Sequence, residues 1–191
     1  MKLKVKYNAP VVLTFAIVCA AVLALNAMTG GASNRLLFIV RRGSLADPLT
    51  YVRLFTHVLG HASMDHYVGN MMLFLVLGPM LEEKYGSRDL ALVIVITAFV
   101  TGAIHCLLSP ATGLLGASGV VFAFIVLASM TSFRAGEIPL TLILVVILYI
   151  GREVAGGLFV RDNISQLAHI AGGLSGAVCG YMAAGGEKDR F

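Results

Sequence analysis

Ser118 and His169 are the two residues whose types can do chemistry together in an otherwise apolar chain. The serine sits in Gly116-Ala117-Ser118-Gly119 and the histidine in Ala168-His169-Ile170-Ala171-Gly172-Gly173. A serine hydroxyl is a weak nucleophile until a base takes its proton, and neutral imidazole suits that task near neutral pH. Small neighbours let a peptide backbone approach Ser118. At a helix start, the free N–H groups of Ala117 and Ser118 can hold a developing oxyanion. His66 and Asn70 are four residues apart, hence on one helical face, and their N–H groups suit the same oxyanion. Together these groups could form a serine acyl-transfer site.

Each piece has a plainer reading as well. Glycine and serine are common packing residues in membrane helices, and a buried histidine can simply hydrogen-bond to a neighbouring helix. His57, His61 and His66 cluster, and the first two have helical spacing. There is no His-Glu-x-x-His pattern and no carboxylate placed as general base, so neither a metal nor any other cofactor is expected. His105 has no surrounding motif and is read as structural. Cys19, Cys106 and Cys179 all fall in apolar runs without metal or redox spacing, which marks them as packing residues.

The elements that must position these residues belong in lipid. Apolar residues make up 58% of the 191 positions and charged ones only 13%, far from the balance of a soluble domain. The stretch from Leu90 to Phe133 carries no charge and is much longer than the roughly 20 residues of one spanning helix. Ser109-Pro110-Ala111-Thr112-Gly113 breaks it like a turn, giving two spans and a short loop. The whole pattern predicts an all-α, polytopic membrane protein with six spans, at about 9–29, 66–84, 89–108, 117–133, 138–156 and 166–185. The first run ends without a clear Ala-x-Ala site and reads as a retained helix. The connection over 30–65, with its apolar Leu36–Val40 followed by Arg41 and Arg42, is expected along the membrane surface. No repeat or linker divides the chain, so residues 1–191 read as one domain. The net charge of +4 sits near span ends, where topology accounts for it and no nucleic-acid partner is needed.

Lys2, Lys4 and Lys6 favour a cytoplasmic N-terminus. Spans two, four and six then all run inward from the external face. His66 and Asn70 open the second, Ser118 opens the fourth and His169 lies near the start of the sixth, so all four meet at one membrane face. Span four covers roughly 25 Å at 1.5 Å per residue, short of a hydrocarbon core near 30 Å, which sinks Ser118 below the surface. Irregular backbone at that depth requires protein or water around it, so a wet recess is expected. Phe122 shares a helical face with Ser118 and is placed to pack under the imidazole. Gly172, Gly176 and Gly180 form a smooth stripe that lets span six approach closely.

In order along the chain, Phe55-Thr56-His57-x-x-x-His61, His66-x-x-x-Asn70, Leu81-Glu82 with Gly86, Gly116-x-Ser118-Gly119 and Ala168-His169-x-x-Gly172-x-x-x-Gly176 resemble the rhomboid family of intramembrane serine proteases. The resemblance runs from about residue 51 to 185. It implies the six-helix rhomboid core, a Ser118–His169 pair without an acidic third member, and oxyanion donors from His66, Asn70 and backbone near Ser118. It places His61 near the rim of the site, makes Glu82 an anchor for the inner end of span two, and lets Gly116, Gly119, Phe122, Gly172 and Gly176 support the pair. Arg53 matches the Arg of the family's Trp-Arg pair, whereas Val52 stands where that Trp would be. By analogy, a minimal form in a bacterial plasma membrane is expected, cutting transmembrane protein substrates at the external face. The rival readings are a non-catalytic rhomboid-like protein that binds membrane clients, and a small channel or carrier.

Overall fold

The computed structural model describes residues 6–109, 111–130, 140, 141, 143, 144, 147 and 163–186, with backbone alone for 163–168 and 183–186. The expected fifth span, 138–156, therefore lies almost wholly outside the described residues. Six α-helices are described: α1 (Pro10–Met28), α2 (Pro48–Thr56), α3 (Met64–Tyr85), α4 (Ser87–Leu108), α5 (Ser118–Ser129) and α6 (Asn163–Gly186). Among the described residues, α1 and α4 are long and apolar enough to cross a membrane, and α5 is a shorter apolar helix. The fold is an all-α bundle of membrane helices.

Local chemistry explains most boundaries. Pro10 opens α1, where its missing N–H costs nothing. The next two donors, Val11 and Val12 N–H, are taken by the Glu82 carboxylate at 3.0 Å each, and the Ser87 hydroxyl donates to the same group at 2.7 Å. One carboxylate thus caps α1 from the far end of α3. Ser63 caps α3 by accepting the His66 N–H at 3.2 Å, and Asp47 caps α2 by accepting from Leu49 at 3.0 Å. Between α3 and α4 a single residue, Gly86 at φ 83°, turns the chain. A side chain is strained at that φ, which is why glycine ends one helix and starts the next.

Phe74 of α3 centres the core, 4.8 Å from the Phe15 ring of α1 and 4.9 Å from the stacked Phe124 ring of α5. Leu81, Leu90, Val120 and Leu127 close around it. The tightest contact is α5 against α6. A β-carbon on Gly172 would overlap the Gly119 carbonyl oxygen, and one on Gly176 would overlap the Ala123 carbonyl oxygen; at Gly180 the neighbours are Leu127 and Met130. The contact steps forward one helical turn at a time on both helices, so α5 and α6 run parallel in fixed register. In lipid there is no hydrophobic force between apolar helices, and close backbone approach through small residues takes its place.

The long connection between α1 and α3 folds on itself. Residues Asn34–Phe38 form a π-helical turn and His57–Leu59 a 3₁₀ turn, with α2 between them. Buried Arg53 donates from Nε to the Leu36 carbonyl at 2.8 Å and lies 3.6 Å from Asp47. The Thr56 hydroxyl donates to the Leu37 carbonyl, and the Asn34 side chain donates to that of His61 at 3.0 Å. The pattern over 30–65 places this segment at the surface and announces no helix in it, although Asp47-Pro48 is a helix-start signal.

Gly176→Ala should lower stability by about 2–3 kcal/mol, the cost of overpacking a filled contact. Gly173→Ala, which among the described residues would meet only Val126 Cγ2 at 3.5 Å, should change it by less than about 0.5 kcal/mol. Thermal unfolding of the two variants in detergent micelles reads the difference directly.

Candidate functional site

Ser118 is the first residue of α5 and is half-buried. Ala117 ahead of it is fully buried and its carbonyl accepts the first helical bond, from Val121 at 2.9 Å. The N–H groups of the first turn are therefore left without helical acceptors, as a helix start requires. On the same face one turn along, Phe122 carries the His169 imidazole, with ring centroids 4.6 Å apart and a 36° tilt. The α5–α6 register carried one turn back from Gly172 and Gly119 puts His169 level with the residues just ahead of Ser118.

The loop before Ser118 brings in the other two residues. Gly116 has φ 125°, and a β-carbon there would stand 2.7 Å from His66 Nε2 and 3.9 Å from Asn70 Nδ2. Both the backbone angle and the space demand glycine. His66 Nδ1 faces the Ala62 N–H at 3.4 Å and can only accept from it. The neutral ring then carries its proton on Nε2, the atom against Gly116. Asn70 donates one amide hydrogen to the His66 carbonyl at 3.1 Å. Its Nδ2 has a second hydrogen to offer.

Three ties hold that loop in place. Val40 and Leu114 exchange two backbone hydrogen bonds, at 3.0 and 2.9 Å, in an isolated antiparallel bridge. Gly116 N–H donates to the His57 carbonyl at 2.9 Å. His105 Nε2, on α4, lies 3.1 Å from the Thr112 carbonyl and donates to it. His105 thus has the structural part expected of it, here as a tie to the loop that leads to Ser118. Thr97, Thr101 and His105 recur every four residues on an apolar helix, and all three are fully buried.

His57 and His61 lie in the connection ahead of α3 and are both buried. His57 Nδ1 donates to the Arg53 carbonyl at 3.2 Å, which leaves Nε2 to accept from the Thr101 hydroxyl at 3.2 Å, with the Thr97 carbonyl a second acceptor for that hydrogen at 2.7 Å. Burial pushes the His57 imidazole down to about 4. His61 packs its ring edge-on to His66, with centroids 5.1 Å apart, and to Tyr67 at 5.5 Å. Burial first and the neighbouring His66 second push it, too, down to about 4. No group of three or more His, Cys, Asp or Glu placed to hold a metal occurs among the described residues.

The model of the rhomboid domain matches residues 48–185, which is most of the chain. This chain belongs to the rhomboid family. It is 31% identical over 160 residues to rhomboid-related protein 2 of Mus musculus, covering 73% of this chain and 53% of the mouse protein. It is 27% identical over 134 residues to the rhomboid protease GlpG of Haemophilus influenzae, covering 68% of each. A GlpG of Salmonella newport is 29% identical over 133 residues, covering 68% of this chain and 48% of that one. The chain therefore spans about half the length of the mouse and Salmonella relatives. Rhomboid membership and the apolar helices make it a membrane protein.

Both buried histidines are neutral in the folded state and titrate near 6.5 once unfolded, so the unfolded chain takes up protons first as pH falls. Their stabilising contribution is whole above about pH 6.5 and lost on the way to about 4, by up to about 3 kcal/mol each. Thermal unfolding between pH 7.5 and 4 should show a steep fall below 6.5, and His61→Gln should flatten it.

Proposed function

We propose that this protein is an intramembrane serine endopeptidase that cuts the transmembrane segments of other membrane proteins, with Ser118 as nucleophile and His169 as base. The observation that carries the proposal is the His169 ring seated on Phe122, one turn from Ser118, between helices locked at Gly172 and Gly119. That packing supports an imidazole at the end of the bundle where α5 starts with Ser118, the pairing that nucleophilic catalysis calls for.

His169 takes the hydroxyl proton as Ser118 Oγ attacks the scissile carbonyl, and the carbonyl oxygen becomes an oxyanion. The backbone N–H groups at Ala117 and Ser118, His66 Nε2–H and the free Asn70 hydrogen receive it. His66 Nε2 beside Gly116 supports this assignment, because that is the atom left holding the proton. The imidazolium then gives its proton to the leaving amine, and water releases the acyl group through the same pair. With Lys2, Lys4 and Lys6 on the cytoplasmic side, the site opens externally in a multi-pass arrangement of six spans. Substrates enter laterally and unwind near the cut, since an intact helix hides its carbonyls in i→i−4 bonds. Gly119, Gly172 and Gly176 act only by allowing contact, and Glu82 by joining α1 to α3 at the opposite end.

Ser118→Ala should abolish cleavage of a single-span reporter reconstituted in lipid, and abolish labelling by a fluorophosphonate, while the unfolding temperature stays within a few degrees. Persistent labelling of the Ser118→Ala variant would overturn the nucleophile. Asn70→Ala should lower kcat by about 10²-fold with a smaller change in KM, the pattern of a lost oxyanion donor. Equal kcat for Asn70→Ala and the parent protein would remove Asn70 from the site.

A further inference from the structure

His66 carries a donor that the proposed oxyanion site uses, yet its own ring is lightly held. Among the described residues that ring makes one hydrogen bond, from the Ala62 N–H to Nδ1, and at 3.4 Å it is a long one. Nε2 faces Gly116, where a missing β-carbon leaves the ring room and no hold. The ring is half-buried, and the torsion that turns a histidine ring about its stem has no sharp minima of its own. Something else must set its plane.

The ring packed on it is that of His61, with centroids 5.1 Å apart and the two planes at 64°. His61 is fully buried and is fixed on its other sides. Asn34 Nδ2 donates to its carbonyl at 3.0 Å, and its own Nδ1 donates to the Leu59 carbonyl at 3.2 Å. The Tyr67 ring stands at 83° to it, 5.5 Å away, and the Tyr67 hydroxyl is tied to the Ala16 carbonyl of α1 at 3.1 Å. A firmly held ring thus backs a loosely held one. We propose that His61 is a positioning residue: its ring holds the His66 imidazole in the plane that aims Nε2–H at the substrate oxyanion.

The contact acts by shape. With Nδ1 donating to Leu59, His61 Nε2 is a bare lone pair, and it meets no partner among the described residues. A nitrogen without a partner adds no bond, so what His66 meets is a flat and immobile ring. Rotation of the His66 ring carries its N–H away from the oxyanion. That charge exists only once the carbonyl has been attacked, so the loss falls on kcat and spares KM. The inference rests on the reading of His66 as an oxyanion donor and deepens it.

The test is a double-mutant cycle on the full chain in lipid, read as kcat and KM for a single-span reporter, with His61→Ala, His66→Ala and the pair. His61→Ala should lower kcat about tenfold and leave KM within about twofold. In the His66→Ala background it should cost less than about twofold more. His61→Phe, which restores a flat ring without nitrogens, should return kcat to within about threefold of the parent. Equal losses from His61→Ala in both backgrounds, or a His61→Phe as slow as His61→Ala, overturn the positioning role alone. A His66→Ala protein with the parent kcat removes His66 from the oxyanion site, and the inference goes with it. His61→Leu, which is also buried and has no flat ring, takes the place of His61→Ala if the smaller variant unfolds. A readout without turnover is the ¹⁵N spectrum of histidine-labelled protein in micelles. The His66 ring should give one Nε2–H form in the parent and an averaged signal in His61→Ala or His61→Leu, and an unchanged His66 signal overturns the inference.

Discussion

Everything at the proposed catalytic end depends on two backbones touching. Gly172 against the Gly119 carbonyl and Gly176 against the Ala123 carbonyl bring α5 and α6 closer than any residue with a β-carbon allows. In a bilayer this closeness must be achieved by shape, because lipid is as apolar as the helix faces. The contact fixes the rotation and height of α6 relative to α5. With both fixed, His169 has one place to go, over Phe122. The packing of the two helices thus sets where the imidazole lies.

A second layer of constraint comes from the connection between α1 and α3, which folds into a platform for the loop ahead of Ser118. Arg53 and Thr56 gather the π-helical turn, Asn34 holds the His61 carbonyl, and Val40 and the His57 carbonyl reach the loop at Leu114 and Gly116. Two buried neutral histidines sit inside that platform. Their ring nitrogens are matched to backbone and hydroxyl partners, except for His61 Nε2, which meets no partner among the described residues.

Much of this was legible in the sequence because lipid makes polar residues conspicuous. An imidazole in an apolar span, a serine between glycines and a glycine stripe each stand out against a charge-free background, and helical periodicity assigns them faces. The Phe122–His169 contact follows from that same periodicity. What stayed hidden was irregular. The helix over Pro48–Thr56 carries too few residues for a clear period, and the Val40–Leu114 bridge is a backbone pairing that no side-chain pattern encodes. The partner of His105, the Thr112 carbonyl, is main chain and therefore silent in sequence. Glu82 was read as an anchor at the end of its helix, but its grip on the first two free donors of α1 needs the packing of α1 on α3 to be known.

The ties between the first connection and the Ser118 loop are mostly made main chain to main chain. Val40 with Leu114 and the His57 carbonyl with Gly116 would persist through almost any side-chain change that leaves the backbone path intact. Side chains on the surface around that loop can therefore vary without loosening the frame beneath. The exceptions are glycines: Gly116, whose φ and nearness to His66 exclude a side chain, with Gly113 against Ile39 and Gly60 against Phe38. Along that strap, the positions that resist change are those that carry only a hydrogen.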